Sequence, residues 1–223
     1  MDNYLETSKK AWVCASTFPA DKETTYPEHG MVQEFDKVRG KRVYEYGCGG
    51  GSDVMSYLRR GNHVTATDII QTNLDTTLNR VKTMLPEKVN DVNLVLLDTS
   101  YPLPFEDNSF DVISSHGVLH HIRQADEVMK ELYRVCKPGG NIYIMVYTDL
   151  LFEHHRPMVE KLMATRGIDL YEAFCWCTDG EGTPYSRWYT AVEATDFMEK
   201  VGFTVVDFNY WLNDFFLTVK GTK

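Results

Sequence analysis

Four glycines within five positions, inside VYEYGCGGGSDV (Val43 to Val54), constrain this chain more than any other feature. Glycine loses more backbone freedom on ordering than any other residue, so a run this dense marks a turn that needs angles closed to other residues, or a main chain that must approach a ligand closely. The apolar run before it reads as a short buried strand, and SDVMSYLRRG after it, with Val54, Met55, Tyr57 and Leu58 before Gly61, reads as a helix. HVTATDII is then a strand ending at Asp68, NLDTTLNRVKTML a helix closed by Pro86, and VNLVLLD a strand ending at Asp98. FDVISSHG is a fourth strand, ADEVMKELYRVC a helix with Val128, Met129, Leu132 and Val135 at helical spacing, and KPGG a sharp stop before the strand NIYIMVY. Strand and helix trading places this regularly predict a parallel sheet covered on both faces.

From about residue 148 to 190 the rhythm breaks into helical stretches and a polar turn, TDGEGTPYSRWYT, an insertion placed to cover something. AVEATDFMEKVGF resumes as a helix, and TVVDFNYW and DFFLTVKG look like an edge hairpin. Residues 1–38 form an aromatic prelude, with Trp12, Phe18, Tyr26 and His29, that packs on the domain as a helical lid or as a plain surface segment. With 23 basic against 32 acidic residues and a formal charge of −9, neither nucleic acid nor anionic lipid is an expected partner. The N-terminus lacks a secretory signal and no apolar run is long enough to span a bilayer, so a cytoplasmic protein, monomer or homodimer, is expected. Five scattered cysteines argue against a disulfide framework. Cys175 and Cys177 with His154 and His155 lack the spacing of a structural zinc site, and no metal is expected.

The glycine turn fits neither common phosphate-binding pattern. The third position of a dinucleotide fingerprint falls on Ser52, and no Lys-Ser or Lys-Thr pair follows the loop. What stands there is an acid followed by alternating glycines, Glu45, Gly47, Gly49 and Gly51. A carboxylate beside the loop repels a pyrophosphate and suits a cationic ligand.

In that order, VYEYGCGGG, TATDII, LLDTSYPLPFEDNSFDVISSHGVLHHI and ELYRVCKPGG resemble the class I S-adenosylmethionine-dependent methyltransferases, in their small-molecule and quinone-type branch, over about residues 43–203. The resemblance implies an α/β, Rossmann-like fold: a seven-stranded, mostly parallel sheet with helices on both faces and an antiparallel C-terminal edge hairpin. It implies a methyltransferase domain over 39–223 with a cap insertion at about 148–190, and S-adenosyl-L-methionine as cofactor, leaving S-adenosyl-L-homocysteine as product. The activity implied is methyl transfer to an O, N or C atom of a small-molecule acceptor. A peptide or other macromolecular acceptor, or a non-catalytic relative that binds the cofactor, is the alternative.

By the same resemblance Gly47, Gly49 and Gly51 pass beneath the cofactor's methionine portion and Glu45 faces its ammonium. Asp68 takes the ribose hydroxyls, or alternatively caps the next helix. Ile69 offers an apolar face to adenine, or is plain core. Asp98, with Thr99, accepts from the adenine amino group, or is a turn residue. Ser115 and His116 line the cofactor edge after the fourth strand, and His121 or His116 is the candidate proton acceptor, against the alternative of packed, hydrogen-bonded rings. Tyr185, Arg187 and Tyr189 are candidates to hold the acceptor, or alternatively Trp188 and Tyr189 pin the insertion to the sheet while Arg187 is solvated. Trp12, Tyr26 and His29 are candidates to close the pocket.

Overall fold

In the computed structural model, which describes residues 4–11 and 27–223, seven strands form one sheet in the order β3-β2-β1-β4-β5-β7-β6. The strands are β1 Arg42–Tyr46, β2 His63–Asp68, β3 Val92–Leu96, β4 Phe110–His116, β5 Cys136–Tyr147, β6 Thr204–Trp211 and β7 Phe216–Thr222. β1 to β5 run parallel, and β7 runs antiparallel to both β5 and β6. The helices are α1 Tyr4–Ala11, α2 Pro27–Val32, α3 Ser52–Arg59, α4 Gln71–Met84, α5 Ala125–Val135, α6 Asp149–Arg166, α7 Leu170–Asp179 and α8 Ala191–Glu199. The strand order reverses between β1 and β4, so the carboxyl ends of these two strands open a crevice where α/β sheets bind ligands.

Alternation along β1 divides the core. Tyr44 and Tyr46 face one side and pack with Val128, Met129, Leu132 and Val135 of α5 and with Phe197 and Met198 of α8. Val43 faces the other side, among Val54, Met55 and Leu58 of α3 and Val81 of α4. The four apolar residues of α5 are fully buried, as their helical spacing requires.

Two strand boundaries differ from those expected. β3 ends at Leu96 rather than Asp98: it is an edge strand paired only with β2, and its ladder stops where Asp68 closes β2, opposite Leu96. KPGG does not precede β5 but lies within it as a bulge. Phe110 faces Cys136 while Val112 faces Asn141, and Gly139, at φ +74°, allows the excursion.

The insertion is a helix pair, α6 and α7, entered through Thr148, whose hydroxyl accepts from the Leu151 N–H at 3.2 Å, and turned at Gly167 and Asp169. Phe152 stacks on Trp188 at 3.7 Å, with Phe174 at its centre, so the cap carries its own small core.

Of the prelude, residues 28–38 are built into the domain: Phe35 is fully buried and meets the Tyr57 ring edge-on at 4.8 Å. Glu34 ties this stretch to the sheet, accepting from the Tyr143 hydroxyl at 2.8 Å and from Lys220 and Lys37. Burial pushes its carboxyl up, but the bonds from Lys220, Lys37 and Tyr143 outweigh it and hold the pKa at about 2, below the ordinary 4.5. A depressed carboxyl stabilises the fold above its unfolded pKa and loses that contribution as pH falls from about 4.5 to about 2. Glu34→Gln is therefore expected to lower unfolding free energy by about 1 kcal/mol at neutral pH and to flatten the loss of stability on acidification, read by urea titration at the two pH extremes.

Candidate active site

A cavity of about 480 Å³ opens at the carboxyl ends of the central strands. Its floor is the Gly47–Gly50 turn, one wall is Asp68 and Ile69 beyond β2, and another is His116, Gly117 and Val118 beyond β4. The cap adds Thr178 and Asp179, α1 adds Tyr4, Ser8 and Ala11, and Trp211 and Phe216 of the edge hairpin close one side.

The turn is built by Asp68. One carboxylate oxygen accepts the Gly49 N–H at 2.8 Å, and the other accepts the Ile70 N–H at 2.9 Å and the Asn73 amide at 3.2 Å. Burial pushes the Asp68 carboxyl up, and these bonds oppose the rise. Gly47 takes φ +76°, and a Cβ there would lie 2.5 Å from Val118 Cγ2. Gly51 is glycine for another reason. It caps α3 at φ +82°, where a Cβ would lie 2.6 Å from Thr77 on α4, and it does not line the cavity.

The other expected site residues divide. Glu45 and Ile69 line the cavity. Asp98 and Thr99 do not: both are exposed, Thr99 donates to the Tyr101 carbonyl, and Leu97 and Ser100 line the wall instead. Ser115 is fully buried and donates to the Tyr46 carbonyl at 3.2 Å, joining β4 to β1. Tyr185, Arg187 and Tyr189 stand behind the cavity. The Arg187 guanidinium lies over the Tyr189 ring at 4.3 Å, the Arg187 main-chain N–H donates to the His120 carbonyl, and Tyr189 is buried in the main core. Trp12 and Tyr26 fall outside the described residues. His29 is fully buried rather than at the mouth, with Nε2 2.9 Å from Asp53 Oδ1 and its ring stacked on His116 at 4.0 Å. His116 Nδ1 lies 3.2 Å from the other Asp53 oxygen, so one carboxylate orients two parallel rings.

His121 sits at the opposite wall. Its Nδ1 lies 3.0 Å from the Tyr185 carbonyl, and its Nε2 lies 3.8 Å from Asp179 Oδ1. Burial pushes its pKa down, and Asp179 and the Tyr185 carbonyl oppose that fall. Cys175 is 3.8 Å from His121 Nδ1, and it joins this cluster rather than His154 and His155. The sequence reading missed Asp53, Tyr147 and Asp179. Asp179 left a signal: it is the last residue of α7, where the helix dipole disfavours a carboxylate and a separate reason for its presence is needed.

The charge of the cavity is one-sided. Glu45, Asp53, Asp68 and Asp179 line it, and among the described residues no Lys or Arg does. That donor set fits a ligand carrying positive charge and a nucleoside, as S-adenosylmethionine does, and it repels a polyphosphate. Among the described residues, no helix is long and apolar enough to cross a membrane.

Comparisons with known proteins bear on the fold and the family. Residues 44–144 match the family model described as a methyltransferase domain. An uncharacterized methyltransferase of Schizosaccharomyces pombe is 35% identical over 107 residues, covering 45% of this chain and 38% of that protein. A demethylmenaquinone methyltransferase of Clavibacter sepedonicus is 31% identical over 134 residues, covering 60% of this chain and 49% of that one. The chain thus aligns with less than half the length of these curated relatives. In three dimensions it resembles the Burkholderia thailandensis 1,6-didemethyltoxoflavin-N1-methyltransferase, solved with 1,6-didemethyltoxoflavin and S-adenosylhomocysteine. The TM-score is 0.62 at 18% identity, covering 99% of this chain and 84% of that one, a likeness of fold.

Proposed function

We propose that this chain, which has the fold of the class I S-adenosylmethionine-dependent methyltransferases and matches a methyltransferase-domain model over residues 44–144, is an enzyme that transfers a methyl group from S-adenosylmethionine to a small-molecule acceptor. The observation that carries the reading is the acidic cavity floored by the Gly47–Gly50 turn and free of Lys and Arg among the described residues.

When bound, S-adenosylmethionine supplies a methyl group already activated on a cationic sulfur. The work left to the protein is positioning, charge balance and exclusion of water. The Gly47–Gly50 turn, fixed by Asp68, holds the cofactor, with Ile69, Leu97 and Ser100 forming the wall for its base. Glu45 and Asp53 balance its positive charge. Val118, Ile122, Met145, Trp211 and Phe216 give the rest of the cavity an apolar lining suited to an uncharged acceptor with a ring system. His116 is committed to Asp53, so the proton of the acceptor goes to His121.

Incubation with methyl-labelled S-adenosylmethionine and pooled small-molecule extracts tests the reading. Label transferred to a small molecule, with release of S-adenosylhomocysteine, is expected. Label appearing only in protein or nucleic acid would reassign the acceptor, and failure of the chain to bind S-adenosylmethionine in calorimetry would remove the reading altogether.

A further inference from the structure

We infer that Asp179 is the positioning residue that makes His121 a proton acceptor, and that the acceptor molecule accordingly presents an acidic hydroxyl, a phenol or an enol, to His121 Nε2. The inference rests on the methyl-transfer reading for its chemistry and on the cap for its geometry.

A carbonyl oxygen can only accept, so the 3.0 Å contact with the Tyr185 carbonyl places the His121 proton on Nδ1. Nε2 is then the basic nitrogen, and Asp179 Oδ1 faces it at 3.8 Å. The carboxylate is itself held: the Tyr147 hydroxyl donates to Oδ1 at 3.0 Å and the Thr178 hydroxyl to Oδ2 at 2.6 Å. Nε2, Asp179, Thr178 and Tyr147 all belong to the wall of the same cavity. Two acceptor atoms thus confront each other across a gap too wide for one hydrogen bond and suited to a hydroxyl that offers a proton to Nε2. When the proton leaves that hydroxyl for Nε2, the O–H electron pair stays on oxygen, and the imidazolium formed is balanced by Asp179.

The surroundings set how acidic the hydroxyl must be. Facing His121 are Tyr4 of α1, which donates to its carbonyl, the His120 ring at 4.1 Å, Tyr147 at the end of β5, and Cys175 and Asp179 of α7. Arg123 lies one layer out, over the Tyr4 and Tyr185 rings at 5.2 and 4.9 Å. Burial makes His121 a weaker base than an exposed imidazole, and a weak base removes a proton from a phenol or enol far more readily than from an alcohol. Asp179 is the one carboxylate among these groups, and it stands at a helix terminus that would otherwise disfavour it.

The test is nitrogen NMR of the full chain labelled in histidine, with the His121 signals identified by their loss in His121→Gln. Wild type is expected to show the Nδ1–H form of His121 at neutral pH. Asp179→Asn is expected to move the His121 titration to lower pH, and Asp179→Glu to restore it, a rescue that a merely structural carboxylate would not produce. An Nε2–H form in wild type, or a titration unmoved in Asp179→Asn, would overturn the inference. Should Asp179→Asn not fold, the wild-type protonation form decides alone. Calorimetry of wild type with S-adenosylhomocysteine separates the two readings, since absence of binding removes the methyl-transfer reading and leaves the His121–Asp179 coupling to be read by NMR.

Discussion

Asp68→Ala is expected to weaken binding of S-adenosylmethionine by about a hundred-fold or more, close to 3 kcal/mol. The carboxylate accepts from Gly49, Ile70 and Asn73, and its removal leaves buried donors without that acceptor. Each such loss costs about 1–3 kcal/mol, and here it falls on the turn that forms the cavity floor. Asp68→Asn is expected to fail nearly as badly, because an amide presents an N–H to at least one of the two main-chain donors. Asp98→Ala is the contrast: an exposed residue outside the cavity wall is expected to leave affinity within a few-fold of wild type. Calorimetric titration of the three variants decides the matter, and Asp68→Ala binding like wild type would remove Asp68 from the site.

Gly47→Ala carries the second large effect, on the fold and the cavity together. At φ +76° a side chain is strained, and the added Cβ would sit 2.5 and 2.8 Å from the two methyl carbons of Val118, a residue too stiff to swing away cheaply. Unfolding free energy is expected to drop by about 2–3 kcal/mol, with binding of S-adenosylmethionine lost because the turn and the Val118 wall are driven apart. Val118→Ala placed in the same chain should recover the steric part and leave the backbone part. Unfolding by urea, run as a double-mutant cycle, measures the split, and strict additivity of the two substitutions would show that the contact is not what makes Gly47 necessary.

The parts legible in the sequence were those where one residue type answers one backbone demand. The Gly47–Gly51 turn, the close of β2 at Asp68 and the apolar stripe of α5 all follow from local chemistry, and the edge hairpin from two apolar runs around a turn. The misplaced boundaries depended on partners. Nothing in VNLVLLD says that β2 ends opposite Leu96, and nothing in KPGG says that β4 will accept a bulge there. The site divides the same way. Glu45, Asp68 and Ile69 sit where their strand positions put them, whereas Tyr185, Arg187 and Tyr189 stack and bond away from the cavity, a choice made by packing across the cap. His29 became a buried partner of Asp53 through a contact between α2 and α3, which spacing along the chain does not encode.

β7 lies between β5 and β6, although it is made after both. A ribosome delivers β5 with one flank bare and then must finish the cap, α8 and β6 before the strand that covers that flank emerges. Until Phe216–Thr222 is out, Ile142, Ile144 and Val146 lack their antiparallel neighbour, and β6 has nothing to pair with. The nascent chain therefore exposes an adhesive strand edge from the completion of β5 until β7 emerges, and that interval is when a chaperone has the most to protect.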